Sequence, residues 1–164
     1  MTVIRPAGDD DLTRVSELVA DAYLADDLVP RDHWYVDELR AAAHRALHAE
    51  LIVAEDEGTV VGTVTLASAG SPYAEIARAG EIEIRMLAVA PAARGRGVGE
   101  ALVRAALERA WSTGAEAVVL TTLTPMIAAQ RVYERIGFTR DPARDWAGES
   151  QTMLVYTAHP ATAG

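Results

Sequence analysis

Apolar residues in the first third of the chain recur with the spacing of helices. A short apolar start at Val3–Ile4 predicts a first strand, and the acidic run Asp9–Asp11 offers an N-cap and suits the positive end of a helix dipole. Apolar side chains then fall every three or four residues over 12–23 and over 32–49, which predicts two helices. The expected inner face of the second helix consists of Trp34, Leu39, Ala43 and Leu47.

Strand and helix patterns alternate in the rest of the chain. The expected elements are a hairpin over 51–66, a strand over 81–89, a helix over 97–113, a strand over 118–121, a helix over 125–136 and a strand over 152–156. In the strand over 81–89, alternation places Ile82, Ile84 and Met86 on one face and Glu81, Glu83, Arg85 and Leu87 on the other. This order predicts a single mixed α/β (or α+β) domain over 1–159, followed by a flexible C-terminal tail over 160–164.

Composition narrows the possible chemistry. The 164 residues include no cysteine, which excludes disulfides, thiolate metal sites and a cysteine nucleophile. All 15 basic residues are arginine, so a Walker A loop and Schiff-base chemistry, which need lysine, are excluded too. No apolar run approaches the roughly 18 residues that span a bilayer, and the first residues do not resemble a signal peptide. We therefore expect a cytoplasmic protein with no membrane partner.

The net charge of −9 is unevenly distributed. All of it lies in residues 1–57, while 58–164 contains as many arginines as carboxylates. A nucleic-acid-binding protein would need a broad positive face, so nucleic acid is not an expected partner.

A glycine-rich segment joins the strand over 81–89 to the helix that follows. Its glycines allow close approach of a ligand to the backbone, its arginines can bind anions, and the first amides of the helix would be open donors. The segment suits a pyrophosphate, although a plain turn with solvated arginines fits the same letters. A dinucleotide fingerprint would need a third glycine at Glu100 or Leu102. The candidate phosphate-binding residues are Arg94, Gly95, Arg96, Gly97, Val98, Gly99 and Glu100.

Arg94-x-x-Gly97-x-Gly99 resembles the Arg/Gln-x-x-Gly-x-Gly/Ala signature of the GCN5-related N-acetyltransferases, the GNAT family. Two further blocks, 85–91 and 129–138, are similar to the family's adjoining motifs and stand in the same order. Three ordered motifs are far more specific than one. The resemblance implies a mixed central sheet that is splayed open at its middle and flanked by helices.

The resemblance also implies acetyl-CoA as co-substrate and no metal. The pantetheine arm would follow the strand at Leu87, Ala88 and Val89, and the pyrophosphate would lie on the glycine-rich segment. An amine would attack the thioester directly, without a covalent enzyme intermediate. Many members carry an asparagine where this chain has Met126, so that asparagine's contact is not carried over.

Two side chains are candidates for proton transfer. Tyr133 resembles the family's tyrosine, whose hydroxyl points at the CoA sulfur, and a phenol is a suitable acid for the departing thiolate. The alternative is a tyrosine that only fills the packing between helix and sheet. Glu83 corresponds to a glutamate that serves several members as base, often through a water. Glu81, two residues away on the same face, is the reserve, and an ordinary salt bridge between Glu83 and Arg85 is the structural alternative.

His44 and His48 have the i, i+4 spacing of metal ligands, but Arg45 stands where a zincin motif has glutamate. A polar helix face explains these histidines better than a zinc site.

The acceptor is expected to be a small primary amine or a peptide amine. The resemblance places segments 25–31 and 68–80 around the acceptor opening, so Asp26, Asp27 and Glu75 are candidate substrate-binding residues. A negative opening favours cationic amines, although an acidic surface can also serve solubility alone. A second hypothesis is a non-catalytic, CoA-binding regulatory module of the same fold. Homodimer formation is left open.

Overall fold

The structure, a computed structural model, describes residues 1–25, 32 and 34–161. The strands are β1 (Thr2–Pro6), β2 (Glu50–Asp56), β3 (Thr59–Ser68), β4 (Glu81–Val89), β5 (Ala117–Leu123), β6 (Thr139–Arg140), β7 (Trp146–Ala147) and β8 (Thr152–Ala158). The helices are α1 (Leu12–Ala25), α2 (Tyr35–Arg40), α3 (Ala42–His48), α4 (Val98–Ser112) and α5 (Ile127–Ile136). None of the described helices has the length and apolar character that crossing a bilayer requires.

All the strands join one sheet, in the order β1-β2-β3-β4-β5-β8-β6, with β7 on β8. Neighbours are antiparallel except β4 and β5, which run parallel. The β4–β5 pairing begins at Glu81 and Ala117 and ends at Ile84 and Leu120, although both strands continue beyond it. The sheet therefore opens between the second halves of its two central strands. The predicted mixed, splayed sheet is confirmed.

Apolar clusters cover the two faces of the sheet. On one face, α4 and α5 pack on the strands through residues such as Leu102, Val103 and Tyr133. On the other face, α1 to α3 pack through residues such as Val19 and Leu39. Full burial of one Leu or Val side chain contributes roughly 1.5–3 kcal/mol to the free energy of folding. Because many such side chains are buried in both layers, the layers hold the two central strands in place around the opening.

The predicted helix over 32–49 is broken. Ala41, with φ −89° and ψ 51°, separates α2 from α3. Because the helical phase restarts there, the expected inner face is wrong except at Leu39, and Trp34 and Leu47 are 63% and 79% exposed. The residues that are buried instead are Val36, Ala42 and Arg45.

A β-bulge interrupts the alternation of β4. Thr65 of β3 pairs with Arg85, and Thr63 pairs with Ala88, so β4 carries an extra residue. Met86 in this bulge has a φ of +52°. As a result Met86 and Ala88 join the α1 side of the sheet, while Leu87 and Val89 pack on the α4 side. The simple alternation expected for Met86 and Leu87 is therefore wrong.

The domain boundaries stay a prediction. Residues 162–164 of the expected tail lie outside the described residues, and the last described strand ends at Ala158.

Candidate active site

The glycine-rich segment forms the turn into α4. After β4, a short 3-10 turn at Pro91–Ala93 leads to Gly95 and Gly97, whose φ angles are +79° and +77°. Gly97 is the N-cap of α4, and a Cβ there would meet nothing within 4 Å. Glycine is therefore favoured at this position because the backbone is left-handed, and not because a side chain would clash with neighbouring atoms.

The start of α4 presents open backbone donors. The amides of Val98, Gly99 and Glu100 precede the first intrahelical acceptor bond, which runs from the Ala101 amide to the Gly97 carbonyl. A helix N-terminus with unpaired amides and a favourable dipole is a natural anion site. A Cβ on Gly99 would meet only Val89 at 3.7 Å, so this glycine leaves space in front of the strand end.

Two arginines flank these amides. Arg94 Nε donates to the Val89 carbonyl at 3.3 Å, which ties the segment to the end of β4. Arg96 Nη2 lies 2.9 Å from Oδ2 of Asp56, the last residue of β2, and this hydrogen bond lowers the pKa of Asp56. Glu100 Oε1 pairs with Arg135 Nε of α5 at 2.8 Å. Charged side chains thus connect the segment to the end of β4, to β2 and to α5.

Tyr133 of α5 lies on the α4 side of the sheet. It is 6% exposed, and its ring contacts Phe138 and Tyr156 with centroid distances of 5.9 and 6.2 Å. Among the described residues, its hydroxyl has no hydrogen-bond partner. Burial, with a smaller effect of Tyr23, raises the pKa of Tyr133 above its ordinary value. The hydroxyl therefore keeps its proton at neutral pH.

Glu83 is buried on the other side of β4. It is 1% exposed, and its Oε1 accepts the amides of Glu75, Ile76 and Ala77 at 2.9, 2.7 and 3.0 Å. Its Oε2 lies 3.9 Å from Arg85 Nε, so the expected salt bridge is loose. Burial raises the pKa of Glu83, and the loop amides and Arg85 offset part of the rise. The hydrogen-bonding capacity of Oε1 is therefore filled, whereas that of Oε2 is not.

Glu81 has a different environment. Arg144 donates to both of its oxygens at 2.9 Å, and the Arg78 amide donates to Oε1 at 2.8 Å. Burial acts to raise the pKa of Glu81, but these bonds outweigh it and the pKa is lowered. A carboxylate paired in this way is a poor base.

Arg85 organises the α1 side of the opening. Its Nη1 donates to the Tyr73 carbonyl at 2.8 Å, and its Nη2 lies 2.7 Å from Glu75 Oε1 and donates to the Tyr35 hydroxyl. The Tyr35 ring meets the Tyr23 ring edge-on at 6.3 Å. The Glu75 side chain remains 42% exposed, so it is the accessible charge of this group.

Sequence reasoning considered Arg85 only as a salt-bridge partner of Glu83 and missed the aromatic residues that surround it. Tyr23 belongs to the apolar stripe of α1, which predicts only a place in the core. Tyr35 is the first residue of α2, and no local sequence pattern indicates a functional role for it. Asp26 and Asp27 lie outside the described residues. Trp34, close to that segment, donates from Nε1 to Glu149 Oε1 at 3.2 Å.

The two histidines of α3 lie beside this group. The His44 and His48 rings are 4.8 Å apart, and His44 Nδ1 is hydrogen-bonded to the Tyr73 hydroxyl. Among the described residues, no group of three or more histidine and carboxylate side chains is arranged to hold a metal ion.

Comparison with known protein families identifies the family of this chain. The acetyltransferase (GNAT) family model matches residues 13–138. Since the match covers most of the chain, the protein belongs to the GNAT acetyltransferase family.

Individual relatives are more distant. An uncharacterised N-acetyltransferase of Schizosaccharomyces pombe is 34% identical over 97 residues, 58% of this chain and 55% of that protein. The mycothiol acetyltransferase of Mycobacteroides abscessus is 33% identical over 129 residues, 74% of this chain and 40% of that protein. The chain thus spans about half or less of these relatives. YncA, a putative acetyltransferase from Salmonella typhimurium solved with acetyl-CoA, superposes with a TM-score of 0.73 at 19% identity, covering 100% of this chain and 97% of that one.

Proposed function

We propose that this protein is an acetyl-CoA-dependent N-acetyltransferase that acetylates a primary amine by direct attack in a ternary complex. The observation that carries the proposal is the opening between β4 and β5. The open amides of α4 follow the end of β4. The largely buried Tyr133, whose hydroxyl has no partner among the described residues, lies on the α4 side of the sheet, and the half-free carboxylate of Glu83 lies on the other side of β4.

The glycine-rich segment fits the phosphates of acetyl-CoA. The amides of Val98, Gly99 and Glu100 would bind the pyrophosphate, with Arg94, Gly95, Arg96 and Gly97 completing the cradle. The strand end at Leu87, Ala88 and Val89 would bind the pantetheine arm. The co-substrate supplies a thioester, whose carbonyl carbon accepts the amine. The backbone and not any side chain of Ala88 would contribute, because that side chain packs on the α1 side.

Tyr133 would act as the general acid. When the amine nitrogen bonds to the carbonyl carbon, the carbon–sulfur bond breaks and the sulfur needs a proton. A phenol whose pKa is raised by burial is protonated at the start of each turnover. In this step its O–H bond breaks, the proton passes to the thiolate sulfur, and the tyrosinate that is left takes up a proton from solvent before the next turnover.

Glu83 would act as the base, directly or through one water. The Oε1 atom is held by three amides, which leaves Oε2 to accept a proton from the ammonium form of the acceptor, so that the neutral amine can attack the thioester. The raised pKa makes Glu83 a stronger base than an exposed glutamate. The Glu81 carboxylate, fixed by Arg144, is not suited to this task.

We further propose a cationic amine as acceptor. Glu75 keeps a half-exposed carboxylate on Arg85, the same guanidinium that binds the Tyr35 hydroxyl, and an accessible carboxylate favours ammonium groups. The negative charge concentrated in residues 1–57 acts in the same direction. Roles for Asp26 and Asp27, a cytoplasmic location and a homodimer stay predictions.

The proposal is tested with a panel of amines. Release of free thiol from acetyl-CoA is measured with polyamines, aminoglycoside-like compounds, basic peptide N-termini and acidic amino acids, and CoA binding is measured in parallel by calorimetry. Amine-dependent thiol release supports the enzyme. Binding of CoA without transfer to any amine would favour the regulatory module.

A further inference from the structure

Charged side chains hold the loop over residues 75–78, which precedes β4. Three consecutive amides, from Glu75 to Ala77, converge on one oxygen of Glu83. The fourth amide, of Arg78, donates to Glu81 Oε1. Loop amides on a protein surface are usually hydrated. Here four in a row bind buried or partly buried carboxylates of one strand, which is the geometry of an anion-binding nest around a built-in anion.

Arg144 holds the same loop from the opposite side. It belongs to the 3-10 turn Pro142–Arg144, far along the chain between β6 and β7. Its Nη2 donates to the Ile76 carbonyl at 2.8 Å and to Glu81 Oε1 at 2.9 Å, while Nη1 donates to Glu81 Oε2 at 2.9 Å. Both ion-paired side chains are largely buried. A single guanidinium therefore fastens the loop to β4 through two nitrogens of a planar fork, a geometry that the single nitrogen of a lysine does not reproduce.

The loop that Arg144 fastens carries one proposed acceptor-side group and binds the other. It contains Glu75, whose carboxylate reaches Arg85, and it supplies the amides that occupy one oxygen of Glu83. We propose that Arg144 is a positioning residue for the amine acceptor: by holding the 75–78 loop on β4 it orients Glu75 towards the acceptor and keeps the loop amides on Glu83 Oε1. This role rests on the proposed function, because it assumes that Glu83 is the base.

The charged and titratable groups around Glu83 come from several elements. Arg85 and Glu81 lie on β4, Glu75 on the loop and Arg144 on the 3-10 turn, while the hydroxyls of Tyr35 (on α2) and Tyr23 (on α1) adjoin Arg85. The loop amides stabilise the Glu83 carboxylate and so lower its pKa from the value that burial alone would give. If the loop loosens, the pKa rises, and the acidic limb of the kcat profile moves to higher pH.

The test compares Arg144→Gln and Arg144→Lys with the wild type, using the best amine of the panel. For Arg144→Gln we expect the KM for the amine to rise about tenfold, as for a lost hydrogen bond to a charged group, while the KM for acetyl-CoA stays within about twofold. The acidic limb should move up by about half a pH unit. Arg144→Lys, which keeps the charge, should give a smaller change in both quantities.

Arg109→Gln is the matched control. Arg109 makes the same two-bond pair, with Glu50 at 2.9 and 2.8 Å, but on the exposed side of α4. It should leave both KM values and the pH profile unchanged. Circular dichroism confirms folding, and if Arg144→Gln does not fold, Arg144→Lys is used for the same comparison.

Unchanged amine KM and an unmoved acidic limb in Arg144→Gln would overturn the positioning role. So would equal rises of both KM values, which indicate general damage. Glu83→Gln separates this result from failure of the proposed function. If the wild-type acidic limb persists in Glu83→Gln, the base assignment is wrong, and the split between the two KM values alone decides whether Arg144 positions Glu75.

Discussion

Ile84 of β4 and Leu120 of β5 are the last paired residues of the two central strands. The next residue of β4, Arg85, still pairs with β3 through its backbone, and its guanidinium forms an ion pair with Glu75. Two residues further, the bulge at Met86 turns Leu87 towards the α4 layer. The point where the sheet opens is thus also the point where β4 changes the groups it presents to each side.

Removal of one hydroxyl tests the acid. Tyr133→Phe should lower kcat by about 100-fold and leave the affinity for CoA intact, because the ring packing is kept and no hydrogen bond to a described residue is lost. Steady-state kinetics and calorimetry measure the two effects. Tyr156→Phe, whose hydroxyl instead donates to Glu134 at 3.1 Å in the same aromatic cluster, is the control and should keep kcat. Normal turnover of Tyr133→Phe would leave Tyr133 with a packing role only.

A valine at Gly97 tests the phosphate cradle. The φ of +77° strains any β-branched side chain by about 1–2 kcal/mol, so the turn must rearrange and move the amides of α4. We expect the KM for acetyl-CoA to rise at least about tenfold. Gly114→Val is the control, since Gly114 has a φ of +85° and equally open space but lies at the far end of α4. A folded Gly97→Val with wild-type CoA affinity would refute the cradle.

The pH dependence of Glu83→Gln tests the base. Glutamine still offers an oxygen to the three loop amides, so the loop should stay in place. The raised pKa of Glu83 predicts that wild-type kcat falls as pH drops through this value, because the protonated carboxyl cannot accept a proton. In Glu83→Gln we expect low activity at neutral pH and partial recovery at high pH, where free amine is abundant. A profile identical to the wild type would place the base elsewhere.

The charge of Glu75 tests acceptor preference. Glu75→Gln should raise the KM for a polyamine several-fold, to an extent that shrinks with added salt, and leave a neutral amine unaffected. Glu108→Gln, the same charge change on the exposed face of α4, should have no effect. Glutamate or aspartate as the best acceptor would contradict the cationic preference.

The parts of the site that depend on a local sequence pattern could be predicted from the sequence. Gly97 and Gly99 stand at a strand-to-helix junction, and Tyr133 lies on a helix with a clear cap at Gly137, so short segments determine their structure. The break at Ala41 and the bulge at Met86 were not predicted, because each depends on packing against other elements. The pairing of Arg144 with Glu81 spans 63 positions and has no local signature.

The burial of certain polar residues could not be predicted from the sequence pattern either. Arg45 is fully buried, with Nη1 bonded to the carbonyls of Glu38 and Leu39, although helical periodicity alone assigns arginine to the surface. Glu83 is equally hidden, and the three loop amides together with Arg85 make its burial tolerable.

The most direct measurement is thiol release from acetyl-CoA in the presence of a cationic primary amine, with Tyr133→Phe alongside the wild type. We predict amine-dependent thiol release by the wild type, acetylated amine in equal amount, and about 100-fold slower release by the variant with unchanged CoA binding. Tight CoA binding with no release for any amine, or equal rates for the two proteins, would contradict it.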